Sequence, residues 1–345
     1  MCVHPLKGFK LGKTLNGKNA LKITGYDIKF LYAPPGSDEY EPFSYQLPWM
    51  IGNNYIYDFI EIPCGQCVEC RLKRSRQWAD RCMLESLYHE HNYFLTVTYD
   101  NEHVHFGPVV DHIDADTGEL TKRQYMTLDK RDLTLFIKQL RYYTPFRYFA
   151  CGEYGDETAR PHFHICAFGL DIEDKLEPYK KNALGQQLYK CPWLDDIWSH
   201  GFVTVAELSW ETCAYTARYV MKKQTGFEAH IYEEKGITPE YVVMSRRPGI
   251  AYQYFEEHGD KIYETDELFI KTLKGGKRGL PPRYFDKLYE IEHPEHMESV
   301  RNSRHLKGEL AQINLGMSNS EYIAHCERKG NAKESAIKKL VRKEV

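Results

Sequence analysis

The chain has 345 residues, 46 Lys+Arg against 49 Asp+Glu for a formal net charge of −3, and 42% hydrophobic residues, with a mean hydropathy of −0.59. Those values describe a globular chain able to bury a sizeable core, and they exclude a wholly basic nucleic-acid coat protein while leaving room for a local basic track. No run approaches the ~18–20 apolar residues of a bilayer span and MCVHPLKGFK lacks the apolar stretch of a secretory signal, so no membrane partner is expected and the chain is expected to stay in the cytoplasm.

Residues 1–62 are rich in Gly, Pro, Tyr and Asn, as in GYDIKFLYAPPGSDEY, and read as an irregular segment of loops and weak strands. The stretch VECRLKRSRQWADRCMLESLYH, from Val68 to His89, has no Gly or Pro and spaces Leu72, Trp78, Cys82, Leu84, Leu87 and Tyr88 as a helix does. YFLTVTYD at 93–100 is β-branched and aromatic, a strand leading into a long loop that carries DADTG. Leu133, Phe136, Ile137 and Leu140 predict a helix over about 129–143. RYFACGEY (147–154) and HFHICAFG (162–169) flank GDETARP as a hairpin-like pair. A short helical piece near WLDDIW, a strand FVTVAEL at 202–208 and a helix opening at Ser209 follow. Beyond about 226 the chain is charged and Tyr-rich, and KESAIKKLVRKEV reads as an exposed basic helix. The interleaving predicts an α+β fold with a central, mainly antiparallel sheet flanked by helices. Its core would span 63–225, between the irregular segment 1–62 and a C-terminal extension 226–345 available for DNA or partner binding.

His162 and His164 flank Phe163, so strand periodicity sends both imidazoles to one face. Two imidazoles leave coordination positions of a divalent cation unfilled, and Glu153 on the preceding strand is the nearest carboxylate to supply a third ligand. The hairpin register decides whether it faces them. The competing reading is an ordinary half-exposed sheet face; His103-Val104-His105, in a polar loop, shows how common the pattern is.

Ser209–Lys223, SWETCAYTARYVMKK, opens with Ser209 and Thr212 at capping-box spacing. With Tyr215 at zero on the helical wheel, Tyr219 falls near +40° and Lys222 near −20°, while Trp210, Cys213, Ala217, Val220 and Met221 take the opposite arc, about 140–240°. The phenols are therefore expected to point outward. A phenol with a pKa near ~10 is a weak nucleophile until a cation stabilises its phenolate, and Lys222, Arg218 and a bound metal can do so. Paired tyrosines beside a lysine suit a covalent phosphotyrosine intermediate; helix packing is the alternative role.

The segments PCGQCVECRLKRSRQWADR, FLTVTYD, GEYGDETARPHFH, AYTARYVMKK and MSRRPG, spread over about residues 63–250, together resemble the replication initiators of microviruses, above all the gokushovirus group, within the HUH endonucleases. The resemblance implies a rolling-circle initiator with a nickase core. Such a protein nicks one strand of origin DNA, stays joined to the 5′-phosphate through tyrosine, and later rejoins the displaced strand. It implies Mg²⁺ or Mn²⁺ at His162 and His164, with Glu153 carried over as a third ligand, and catalytic roles for Tyr215, Tyr219 and Lys222. Arg218 stands where a second lysine would be, which makes Tyr219 the choice for first attack. The partners implied are single-stranded or locally melted origin DNA and, since no G-x-x-x-x-G-K-[ST] loop is present, a helicase and replication machinery of the bacterial host, in whose cytoplasm the protein would act. A related transposase or plasmid initiator is the neighbouring reading, and a zinc-stabilised DNA-binding protein without chemistry the more distant one.

Ten cysteines in a reducing compartment are expected as ligands or core thiols, not disulfides. Cys64, Cys67 and Cys70 can offer three thiolates to a structural zinc, with Cys2 or His4 as a fourth ligand; reduced cysteines at a helix start are the other reading. Arg71, Lys73, Arg74, Arg76 and Arg81, and a second group of Lys271, Lys274, Lys277, Arg278 and Arg283, can contact phosphates, with Tyr284 and Phe285 as base-stacking candidates.

Overall fold

A computed structural model of the chain describes residues 2, 4–14, 19–113, 118–155, 157–182, 185–222, 229–273 and 275–339. It divides into two compact units, one of residues 1–71 with 317–338 and one of 72–316 with 339–345.

The first unit holds two small antiparallel sheets. One orders the strands Asn19–Thr24, Leu6–Lys13 and Phe59–Ile62; the other orders Glu41–Phe43, Phe30–Tyr32 and Tyr55–Ile56. The N-terminal segment is thus sheet where irregular chain was expected. Its second sheet is held by Phe30, Tyr32 and Met50, buried against Phe43 and Tyr55. Strands this short carry little periodicity, and aromatic packing forms them instead.

The second unit is built on a seven-stranded, wholly antiparallel sheet. Its strands are β1 (Asn92–Tyr99), β2 (Arg147–Tyr154), β3 (Pro161–Phe168), β4 (Glu177–Lys181), β5 (Gln187–Lys190), β6 (Gly201–Glu207) and β7 (Tyr241–Met244), in the order β4-β5-β6-β1-β3-β2-β7. The fold is α+β, because helices cover both faces of this sheet. On one face, Leu95, Val97, Phe163, Ile165 and Val205 pack against helices α2 (Lys130–Tyr143) and α3 (Pro192–Trp198). Leu133, Phe136, Ile137 and Leu140 form the apolar stripe of α2, and Asp129 caps it by accepting from the Arg131 N–H. Burial of such side chains contributes roughly 1.5–3 kcal/mol each.

On the other face, Phe94, Phe149, Cys166, Phe168 and Ala206 meet Ala79 and Cys82 of α1 (Val68–Ser86) and Cys213, Ala214 and Ala217 of α4 (Trp210–Lys222). Small residues on both helices let them lie close to a sheet face of large aromatics. The long loop expected after β1 contains a two-stranded hairpin, Val110–Ile113 with Leu120–Arg123, and most of DADTG lies outside the described residues.

Chain beyond 226 is part of this unit. β7 pairs with β2 as the edge of the central sheet, so the sheet crosses the boundary expected near 225. Helices α5 (His230–Glu234), α6 (Tyr252–Thr265), α7 (Arg283–Glu292) and α8 (Pro294–Ile313) follow, and a third core of Ile262, Tyr263, Phe285, Tyr289 and Met297 binds α6, α7 and α8. Within it Arg304 joins Asp266 and Asp286 at 2.8 and 2.9 Å. The basic C-terminal stretch is helical in α9 (Asn319–Lys339), and its last residues, 340–345, lie outside the described residues. Among the described residues no helix is long and apolar enough to cross a membrane.

Candidate metal and tyrosine site

Register settles what periodicity left open. In the β2–β3 pair Glu153 stands directly opposite His162, and Cys151 opposite His164. Even-numbered positions of β3 share a face with odd-numbered positions of β2, so Glu153, His162 and His164 converge beneath α4, on the face whose apolar part seats α1 and α4.

The convergence is tight. His162 Nε2 lies 2.6 Å and His164 Nε2 2.9 Å from the same Glu153 oxygen, Oε1. One ligand atom from each residue falls within 4.8 Å of the others. The opposite edges of the rings are held as well. His162 Nδ1 lies 3.1 Å from the Arg160 carbonyl, which can only accept, so Nδ1 carries a hydrogen. His164 Nδ1 lies 3.1 Å from the Thr96 hydroxyl, on the neighbouring strand β1, where Thr96 is register partner to His164.

In a neutral His162 this leaves the Nε2 lone pair aimed at a carboxylate oxygen, a repulsive contact unless a proton or a cation sits between them. That is how histidine and carboxylate ligands of a metal are arranged, with the second nitrogen fixed from behind. The electrostatics agree. Burial pushes the Glu153 carboxyl up, but the hydrogen bonds from His162 and His164 outweigh it and bring the group down to about 2. Burial pushes the His164 imidazolium down more than Glu153 raises it. The donor set therefore holds an anionic oxygen and a neutral buried imidazole, which suits a divalent cation.

α4 brings a tyrosine to this set. Ser209 and Thr212 close the helix start reciprocally: the Ser209 N–H donates to Thr212 Oγ1 at 2.9 Å, and the Thr212 N–H to Ser209 Oγ at 3.2 Å. Tyr215, half-buried, sets its ring edge-on to His164 at a centroid distance of 5.1 Å and to Phe94 at 6.2 Å. The Arg218 guanidinium lies 5.6 Å from the Tyr215 ring centroid. The apolar arc on the wheel is buried at Cys213 and Ala217, but Tyr215 does not point to solvent as expected. The sheet extends past the apolar stripe of the helix, and at that point it presents His164 and Phe94. Tyr219 and Lys222 lie in α4 one and two turns further on, and their side chains are outside the described residues.

Thr96 was missed from sequence. Its signal was present: FLTVTY alternates Phe94, Thr96 and Thr98 against Leu95, Val97 and Tyr99, so the threonines share the histidine face once β1 and β3 pair. The loop histidines separate, with His103 turned to Asp100 and His105 Nε2 lying 2.7 Å from Asp132, in a second acidic group with Asp129.

The basic residues divide. Lys73, Arg74 and Arg76 of α1 are exposed, but Arg81 is buried. It donates twice to the Ile250 carbonyl, at 3.1 and 3.0 Å, and lies between the rings of Trp78 and Tyr284. Arg81 and Tyr284 are thereby spent on each other, and Phe285 is fully buried, so none of the three is an open DNA contact. Lys277 pairs with Asp80, and Lys274 lies outside the described residues. In the other unit Cys2, Cys64, Cys67 and Cys70 come together.

A family model described as replication-associated protein ORF2 matches residues 92–224, from β1 past the end of α4. The chain is 32% identical over 311 residues to the replication-associated protein ORF2 of Spiroplasma virus 4, covering 85% of this chain and 88% of that protein. It is 29% identical to the replication-associated protein VP4 of Bdellovibrio phage phiMH2K over 68% of this chain and 69% of the relative. Against the replication-associated protein ORF4 of Chlamydia phage 1 it is 34% identical over 47% of this chain and 38% of the relative. No solved structure matches.

Proposed function

The chain belongs to the family of microvirus replication-associated proteins, and from that premise we propose that it initiates rolling-circle replication by nicking and rejoining one strand of origin DNA through a tyrosyl intermediate. The observation that carries this reading is the placement of the Tyr215 ring against His164, in the same donor set as Glu153 and His162.

In the proposed step a tyrosine Oη attacks the scissile phosphorus. The P–Oη bond forms, the P–O3′ bond breaks, and the 3′-oxygen leaves as a hydroxyl after taking up a proton. The DNA 5′-phosphate is then esterified to the protein, and the phosphodiester energy is conserved. Attack by a 3′-hydroxyl reverses the step and rejoins the strand, so joining needs no nucleotide cofactor. Held by Glu153, His162 and His164, Mg²⁺ or Mn²⁺ would supply Lewis-acid polarisation of a non-bridging phosphate oxygen. Glu153 contributes the anionic charge, Thr96 and the Arg160 carbonyl fix the two rings, and Arg218 and Lys222, each three residues after a tyrosine, favour the phenolate over the phenol. The substrate is single-stranded or locally melted origin DNA in the host cytoplasm, with strand separation left to a host helicase.

The test is incubation of purified protein and Mn²⁺ with end-labelled single-stranded fragments tiling the replicon, read by denaturing gel and mass spectrometry. Expected is a DNA adduct on the peptide containing Tyr215 and Tyr219 that does not form in EDTA. Folded, metal-loaded protein that cleaves none of the fragments would overturn the reading in favour of DNA binding without chemistry.

A further inference from the structure

We propose that Cys2, Cys64, Cys67 and Cys70 bind one zinc ion as a closed tetrathiolate that holds the N-terminal unit together. This site shares no residue with the donor set under α4 and lies outside the stretch matched by the family model.

The geometry is that of one tetrahedral ion. Zinc–sulfur bonds of about 2.3 Å at tetrahedral angles place neighbouring sulfurs about 3.8 Å apart. Here Cys64 Sγ lies 4.0 Å from Cys70 Sγ, Cys67 Sγ lies 3.9 Å from Cys2 Sγ, and all four fall within 4.8 Å of one another. All four are free thiols, and the spacing is about twice the ~2.05 Å of a disulfide. A space this small encloses one ion and leaves no room for several irons each with its own thiolate.

The surrounding backbone is shaped for thiolates. The Cys64 N–H donates to Cys2 Sγ at 3.3 Å, and the Cys67 N–H donates to Cys64 Sγ at 3.3 Å. Between them Gly65 takes a left-handed conformation, φ +75°, which folds the Cys64–Cys67 segment back so that its own N–H reaches its own sulfur. Cys70 then follows in the first turn of α1. His4, the other candidate for a fourth ligand, is engaged elsewhere: Nε2 lies 3.4 Å from Glu327 and the ring packs on Tyr26.

With four protein ligands no position remains for substrate, so the site is structural. The unit around it needs such a staple. Its buried apolar side chains are Phe9, Phe30, Leu31, Tyr32, Ala33 and Met50, a core too small to stabilise some ninety residues unaided. Binding deprotonates the four thiols, releases four protons to solvent and involves no oxidation or reduction.

The experiment measures metals bound to the full-length protein, purified without chelating resin and dialysed exhaustively, by inductively coupled plasma mass spectrometry. Expected is one zinc per chain, retained in a His162→Ala/His164→Ala variant and in Cys326→Ser, and lost in Cys64→Ser and Cys70→Ser. Cobalt exchanged into the wild-type protein should show the visible bands and thiolate charge transfer of a tetrahedral sulfur site, which keeps the test independent of whether the cysteine variants fold. Removal of the zinc should expose residues 1–71 to trypsin before the rest of the chain. Folded wild-type protein without zinc, iron in its place, a disulfide among the four cysteines, or zinc that follows the histidines instead would each overturn the proposal. None of these results depends on nicking.

Discussion

Thr96→Val tests whether the hydroxyl behind His164 orients that ring as a ligand. Valine keeps the β-branched shape and strand preference of threonine and removes only the oxygen 3.1 Å from His164 Nδ1. His164 is 2% exposed, so solvent is poorly placed to replace the lost partner, and the ring is freed to turn or to move its hydrogen to the nitrogen that faces Glu153. Loss of such a supporting contact typically weakens metal binding by about 10–100-fold, or about 1.4–2.7 kcal/mol. The concentration of Mn²⁺ giving half-maximal nicking should rise by that factor, and equilibrium Mn²⁺ binding followed by electron paramagnetic resonance should weaken in parallel. At saturating Mn²⁺ the nicking rate should return to within about twofold of wild type, and urea stability should fall by about 1 kcal/mol. An unchanged Mn²⁺ dependence would refute the orienting role, and a rate that saturating metal does not restore would place the effect of Thr96 in the chemical step instead.

Arg81→Ala removes a doubly bonded guanidinium and the packing of Trp78 and Tyr284 around it, so urea denaturation should show a loss of about 3 kcal/mol or more. The salt dependence of single-stranded DNA binding should not change with it, whereas exposed Arg74→Ala, if that residue touches a phosphate, should lower the salt slope by about 0.7 and leave stability intact. Glu85, 6% exposed, accepts from the Ala251 N–H and pairs with Arg147 and His89. Burial raises its pKa, but these partners outweigh burial and hold it below the ordinary value. A depressed carboxyl stabilises fully above its unfolded pKa of about 4.3 and loses that contribution as pH falls through the lower folded value. The stability advantage of wild type over Glu85→Gln should therefore be constant from pH 6 to 8 and shrink steadily below about pH 4, as read by urea midpoints.

The hairpin and its two histidines were legible because strand periodicity is local: HFHICAF alternates, and alternation alone puts His162 and His164 on one side. Glu153 needed the register, which depends on loop geometry between the strands, and Thr96 needed the pairing of β1 with β3, a contact 68 residues apart in sequence. Helices α1, α2 and α4 announced themselves by apolar spacing. β7 did not, since YVVM is four residues long and becomes a strand by adding to the open edge of β2. Arg81 read as surface because charge outweighs position in a basic stretch; two aromatic rings and a free carbonyl made it a core residue. The cysteine run was visible, but Cys2 joins it from 62 residues away, and chain folding alone could supply that ligand.

Tyr215 and Tyr219 lie one turn apart on α4, about 6 Å along the axis and about 40° around it. One donor set serves both if each phenol reaches the same phosphate in turn, the first to open the strand and the second to accept the displaced end. Spacing relative to Lys222 favours Tyr219 for the first attack, while the ring seated at His164 is that of Tyr215. The proposed alternation makes both indispensable for a full cycle whichever begins. Tyr215→Phe and Tyr219→Phe should each still nick and form an adduct on the remaining tyrosine, yet neither should release closed unit-length circles in a reconstituted replication assay. The double variant should bind single-stranded origin DNA within about twofold of wild type and form no adduct, because a phenyl ring preserves the packing and lacks the nucleophile. Closed circles at the wild-type rate from either single variant would show that one phenol performs both transfers, and the pairing of tyrosines on this helix would then need another explanation.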